Sequence, residues 1–217
     1  VELSFDVHEY PHPSGAIMLA KTTLGALAMG DVWFADTTRN PWNPEEGSSG
    51  SSAGSASATA AGLLPFAIGT ETWGSIVSPA TVCGVTGLRP TFGRVSRAGA
   101  MALSWSMDKL GPLTRSVEDC AIVFDAIRGV DAQDPSTIEA AFNYQYPVDL
   151  ASLRIGYLKE AFEADTVNLE TNLAALKTLR EAGIQVVMLT GDRSGTAMAI
   201  ARDVGLMDDG KAGVSCE

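Results

Sequence analysis

The feature that most constrains this chain is an internal tract, GSSGSSAGS at Gly47–Ser55, which runs directly into the small-residue segment Ala56–Ala61. Glycine and serine without apolar neighbours ordinarily make a flexible linker or an engineered scar. Here the tract is internal and feeds a helix of alanine, serine and threonine that Gly62 closes. A helix of small side chains lets another backbone come close, and a linker has no use for that. Tight packing or function is therefore favoured over a linker. Leu63–Ile68 then reads as an apolar strand. A second polar loop, GTETWGS at Gly69–Ser75, leads into a short helix at Ile76–Val82.

Elsewhere Ala16–Lys21 reads as a strand, Leu24–Met29 as a short helix, and 36–50 as an irregular surface loop. Ser116–Arg128 is an amphipathic helix, with Ser116 as N-cap, Asp119 three residues on and Gly129 as its stop. Residues 129–152 are a polar connector. Leu153–Leu158, Val167–Ala182, Ile184–Leu189 and Ser194–Val204 follow as β-α-β-α, which implies parallel strands with helices packed on them. The expected class is α/β, a mixed β-sheet flanked by helices.

Composition removes several functions. With 46% apolar and 19% charged residues, the 217-residue chain can build a core and is not disordered. A net charge of −11, spread over both halves, repels phosphate backbones, so direct nucleic-acid binding is not expected. No apolar run reaches membrane-spanning length, and no membrane partner is expected. Cys83, Cys120 and Cys216 are odd in number, far apart and in no CxxC pair, which fits a reducing, cytoplasmic setting and core packing for the first two. The chain opens at Val1 and not at Met, which reads as processing or truncation and leaves a lost leader open. His8 and His12 have helical spacing, but Tyr10, Pro11 and Pro13 argue against a helix there, so neither metal nor cofactor is expected.

The chemistry resides in the two serine loops. Ser51 precedes Ser75 by 24 residues, and a helix–strand return between them can bring both loops to one end of a sheet. A serine hydroxyl needs an activating base. With only two histidines in the chain, a neutral lysine or a hydroxyl relay is the plausible solution. Backbone N–H groups around Gly74 could hold an oxyanion. The same residues could equally be turns and N-caps.

The stretch Gly47–Arg97, GSSGSSAGSASATAAGLLPFAIGTETWGSIVSPATVCGVTGLRPTFGRVSR, resembles the signature of the amidase signature family. The resemblance extends back to about Ala16 and forward through MDKLGPLTRSVEDCA to about Tyr157. It implies a partial amidase-signature core that hydrolyses or transfers amides of small molecules through an acyl-enzyme, using a Ser–cisSer–Lys triad. By position the nucleophile is Ser75 and the cis-serine relay is Ser51. The backbone N–H groups of Thr72, Trp73, Gly74 and Ser75 make the oxyanion hole, with Ser52 and Thr70 as supporting hydrogen-bonding residues. The resemblance implies no cofactor and leaves a homo-oligomer open.

Several positions depart from the family pattern. The family's lysine lies further upstream of the cis-serine than the fifty residues present here, so it is expected to have been lost with a missing N-terminus. Lys21 falls on another segment and reads as structural. Trp73 replaces a glycine and either restricts the oxyanion turn or fills the substrate pocket. Val77 replaces an arginine near Glu71, and Ser49 and Ala53 replace glycines. Gly183–Leu206, GIQVVMLTGDRSGTAMAIARDVGL, resembles part of the phosphorylation domain of P-type ATPases. Asp192 matches there, but the DKTGT motif is absent, so ion transport is not implied. The expected division is thus an amidase-signature fragment over 1–183 and a β-α segment over 184–217, either a splice or an unusual amidase. Two functional readings stand: an amide C–N hydrolase or amidotransferase, and an inactive amidase-like fragment or fusion.

Overall fold

The computed structural model of the chain describes residues 15–145 and 148–189. Two compact units divide between Tyr144 and Gln145. The expected α/β class, with sheets flanked by helices, is what is found.

The first unit is organised by a three-stranded antiparallel sheet in the order β3 (Phe66–Glu71), β5 (Lys109–Thr114), β4 (Thr86–Gly87). Register runs without a slip from Phe66 opposite Thr114 to Glu71 opposite Lys109. On β5 the three-residue offset between Leu110 and Leu113 sends their side chains to opposite faces. Leu113 packs with Ala56, Ile76, Ala80 and Cys83, beneath α1 (Ala53–Ala60) and α2 (Val77–Cys83). Leu110 packs with Val95 and Phe124, beneath α3 (Val117–Ile127). Helices thus cover both faces of one small sheet. Ser116 caps α3 as expected, its hydroxyl accepting the Asp119 N–H at 3.0 Å.

The tract at 47–55 is packed. Gly54 donates its N–H to the Thr23 carbonyl at 2.9 Å, and a Cβ at Gly54 would collide with the Thr23 backbone nitrogen. Ala53 and Ala56 are fully buried. The helix starts three residues earlier than expected, at Ala53.

Residues 36–50 are more ordered than expected. They contain a hairpin of β1 (Arg39–Asn40) and β2 (Asn43–Gly47). This hairpin serves the end of α2, whose last carbonyls lack partners within the helix. Asn40 Nδ2 donates to Val82 O at 3.2 Å, and Trp42 Nε1 donates to Cys83 O at 2.8 Å. Gly84 ends the helix at φ +67°, a conformation that costs glycine little.

Three expectations are corrected. Ala16–Lys21 joins no ladder, and Ile17, Met18 and Leu19 stand exposed, so this apolar run makes no strand. Within Leu24–Met29 only a 3₁₀ turn forms at Ala26–Ala28, with Leu27 at positive φ. The strand expected at Leu63–Ile68 begins instead at Phe66, after Pro65, which has no N–H to give a ladder.

In the second unit β6 (Arg154–Leu158) and β7 (Gln185–Leu189) pair in parallel, joined by α4 (Lys159–Ala164) and α5 (Leu169–Glu181). Among its described residues Tyr157, Leu176 and Ile184 are the buried apolar ones. The helix expected at Ser194–Val204, together with Asp192, His8, His12 and Cys216, lies outside the described residues. Among the described residues no helix is long and apolar enough to cross a membrane.

Candidate active site

Among the described residues β3 is an edge strand, and its free edge is where the two serine loops meet. Residues along an antiparallel edge strand alternately present their N–H and C=O to the neighbour and away from it. Ile68 and Thr70 present theirs away from β5. Ser55 Oγ donates to Ile68 O at 3.0 Å. Ser52 Oγ donates to Thr70 O at 3.1 Å and accepts the Thr70 N–H at 3.0 Å. Ser52 and Ser55 are three apart, on one face of the start of α1, so the spacing in SSAGS is what seats the tract on β3.

The loops also join through the backbone. The Ser52 N–H donates to the Ser75 carbonyl at 3.1 Å, and the Gly25 N–H donates to the Ser51 carbonyl at 3.0 Å. The peptide bond between Gly50 and Ser51 is cis. Ser51 and Ser52 are buried, and Ser75 is half-buried. Ser51, Ser52, Thr70 and the Thr72–Ser75 turn are therefore gathered at one end of the sheet. Among the described residues the hydroxyls of Ser51 and Ser75 hydrogen-bond neither to each other nor to a lysine, and Lys21 is exposed.

Two of the sequence departures find their explanation here. The positive φ of the second loop falls on Gly74, at +101°, so Trp73 is not in the region that favours glycine. The Trp73 side chain is 89% exposed and fills no space within this unit. Ser49, in contrast, does adopt φ +59°. It is held there by its N–H to Asp31 Oδ2 at 2.9 Å and by a hydroxyl pair with Ser78 at 2.8 Å.

Glu71 is the buried charge of the site, with a relative exposure of 1%. Its Oε2 accepts the N–H groups of Ile76 at 2.8 Å and Val77 at 2.9 Å. Burial opposes its ionisation. The N–H groups of Val77, Ile76 and Gly74 and the Arg89 guanidinium together outweigh that and hold the carboxyl below its ordinary range. Arg89 reaches Oε1 at 3.2 Å. With Val77 in place of an arginine, Glu71 thus keeps a cationic partner drawn from the GLRP segment.

Asp108 and Lys109 were not singled out by the sequence reading. Thr72 Oγ1 donates to Asp108 Oδ1 at 2.5 Å, and Lys109 Nζ donates to Thr72 O at 3.2 Å. No spacing rule links positions 36 and 37 apart. The only sequence signal is their place at the start of a strand. Among the described residues no three His, Cys, Asp or Glu side chains gather as a metal site.

Comparison with known proteins places these features in one family. Residues 9–212 match the family model described as Amidase. That span includes Gly183–Leu206. The chain is 42% identical over 180 residues to a glutamyl-tRNA(Gln) amidotransferase subunit from Thermus thermophilus, covering 79% of this chain and 38% of that protein. Among solved structures it is similar to the native peptide amidase from Stenotrophomonas maltophilia, with a TM-score of 0.71 and 39% identity over 87% of this chain and 42% of that one. It is also similar to the corresponding glutamyl-tRNA(Gln) amidotransferase subunit from Thermotoga maritima, with a TM-score of 0.74 and 28% identity over 94% of this chain and 54% of that one. The chain spans less than half the length of the curated relatives it matches. A match across nearly the whole chain, on a fold that gathers the two serine loops at one sheet end, shows that the chain belongs to the amidase family.

Proposed function

We propose that this chain carries the nucleophile segment of an enzyme that cleaves or transfers amide C–N bonds of a small-molecule substrate. The observation that carries the reading is the 3.1 Å bond from the Ser52 N–H to the Ser75 carbonyl, which ties the residue after Ser51 directly to Ser75.

In this scheme Ser75 Oγ attacks the amide carbonyl carbon and its proton passes to Ser51. The tetrahedral oxyanion is held by backbone N–H groups of Thr72, Trp73, Gly74 and Ser75. Of these, the Gly74 N–H is also among the groups that stabilise the Glu71 carboxylate. The relay returns a proton to the leaving nitrogen, the C–N bond breaks, and water or an amine acceptor releases the acyl group from Ser75. Ser52 and Thr70 support the scheme by holding the two loops in register. The scheme's final base, a lysine in the family pattern, is assigned to no residue of this chain. The relatives named as amidotransferase subunits favour transfer, and the peptide amidase favours hydrolysis. The substrate in either case is an amide, and the acidic surface argues against this segment holding RNA itself. The strand at Gln185–Leu189 is proposed as part of the same protein as the segment before it, since β7 pairs with β6.

The test is fluorophosphonate labelling of the full-length protein. Labelling should map to Ser75, vanish in Ser75→Ala, and slow strongly in Ser51→Ala. Labelling that persists in Ser75→Ala rejects the nucleophile. A folded protein that takes no label and cleaves no amide supports the inactive-remnant reading instead.

A further inference from the structure

We infer that Asp108 and Lys109 are positioning residues that clamp Thr72 and thereby aim the Trp73 N–H at the reacting carbonyl oxygen. The inference rests on the reading of Ser75 as nucleophile.

Glu71 opposite Lys109 is the last pair of the β3–β5 ladder, so the chain leaves its hydrogen-bonded support at Thr72. The hydroxyl and the carbonyl of Thr72 are then taken by the side chains of Asp108, just before β5, and Lys109, its first residue. Its hydroxyl donates to Asp108 Oδ1 at 2.5 Å, and its carbonyl accepts from Lys109 Nζ at 3.2 Å. The clamp is itself anchored. Asp108 Oδ2 accepts the N–H groups of Leu103 at 2.7 Å and Ser104 at 2.9 Å, and Lys109 Nζ also donates to Met107 O.

The consequence for the turn follows from peptide geometry. The Thr72–Trp73 bond is trans, so its C=O and N–H point in opposite directions. Drawing the Thr72 oxygen toward Lys109 turns the Trp73 N–H to the opposite side. That N–H takes no acceptor among the described residues. An ammonium on the carbonyl also polarises the peptide and strengthens its N–H as a donor. A donor fixed before the reaction stabilises the oxyanion without reorganising. Lys109 touches carbonyls and not the serines, so its role is positioning.

The test uses Lys109→Met and Thr72→Val in the full-length protein, with Lys109→Arg as the conservative variant. Fluorophosphonate labelling of Ser75 and kcat should each fall by about tenfold or more in Lys109→Met and Thr72→Val, with KM little changed, as expected for loss of a donor that acts on the transition state. Lys109→Arg should recover most of the rate. The Trp73 amide 1H–15N resonance should shift in Lys109→Met, because the carbonyl of the same peptide loses its partner, a readout that does not require Ser75 to react. An unshifted resonance overturns the clamp. A shifted resonance with unchanged labelling and kcat overturns its role in positioning. Labelling that survives Ser75→Ala sinks the nucleophile reading separately, and the resonance still judges the clamp.

Discussion

Ser52 and Thr70 form a two-way hydrogen-bonded pair, the Ser52 hydroxyl giving to the Thr70 carbonyl and receiving its N–H. One buried side chain thereby takes the role of a neighbour strand at that point of the β3 edge. Ser52→Ala orphans a backbone donor and a backbone acceptor at once, which should cost about 1–3 kcal/mol. Thermal melting of the variant should show the loss. A variant as stable as the parent would mean that water or a local shift satisfies Thr70 without the serine.

Gly69→Ala should disturb the same pair from the other side. An added Cβ would sit 2.9 Å from Ser52 Oγ, 2.8 Å from Leu113 Cδ1 and 3.1 Å from Ile76 Cγ1. Leu113 and Ile76 are both fully buried, so neither yields easily. Overpacking of this kind costs about 1–3 kcal/mol. Melting curves should place Gly69→Ala near Ser52→Ala, and the double variant should lose less than the two single losses added together, because the sites touch. Full additivity would show that the two changes act independently.

Much of this arrangement is legible in the sequence, because it rests on local rules. Small residues from 53 to 60 make a closely packed helix, serines three apart share a face, and Ser116 with Asp119 makes a cap. What could not be read rests on contacts between distant residues. The replacement of arginine by Val77 reads locally as the loss of a charge partner for Glu71. Only the fold brings Arg89, eighteen residues away, to the same carboxylate. Likewise Ala16–Lys21 has the apolarity of a strand, but a strand needs a neighbour to bond, and none pairs with it among the described residues. Asp108 and Lys109 carry no periodic signal because their partner Thr72 lies across the end of a ladder whose register no local pattern specifies.

Glu71→Ala should be the most damaging single change at the turn. It leaves the N–H groups of Ile76 and Val77 without their acceptor in a buried place and removes the partner of Arg89. A loss of about 3 kcal/mol is expected from two unsatisfied donors. Glu71→Gln retains one oxygen able to accept both N–H groups and should cost clearly less. Equal losses in denaturant melts of the two variants would show that charge, and not hydrogen bonding, holds the turn.

Cys83 should resist alkylation in the folded protein. Burial, together with the nearby Asp31 carboxylate, pushes its thiol up to about 11 from the ordinary 9.0. The reactive species is the thiolate, so at pH 8 its population is about a hundredfold below that of a free cysteine, and burial limits access further. Burial raises the Cys120 thiol as well. Iodoacetamide at pH 8 followed by peptide mass analysis should find both unmodified until denaturant is added. Rapid native modification of Cys83 would mean that the Ala56–Ile76–Leu113 core opens readily.

Acid should unfold the first unit through Asp134 and Glu71. Burial of Asp134 favours its neutral form, but the Ser136 hydroxyl, the Arg97 N–H and guanidinium, and the Ser136 N–H prevail and hold it well below the ordinary 3.8. Glu71 is held below its ordinary 4.5. A carboxyl whose folded value is depressed binds protons more readily when unfolded. Its stabilisation is therefore complete above its ordinary value and declines as pH falls from there toward the folded value. Stability should change little between pH 7 and pH 5 on account of these two groups and fall steeply below about pH 4. Asp134→Asn should lower stability at pH 7 and flatten the acid limb, because the group that titrates is gone. Denaturant melts at pH 7, 5 and 3 on parent and variant decide the matter. An unflattened limb in Asp134→Asn would assign the acid sensitivity to other carboxylates.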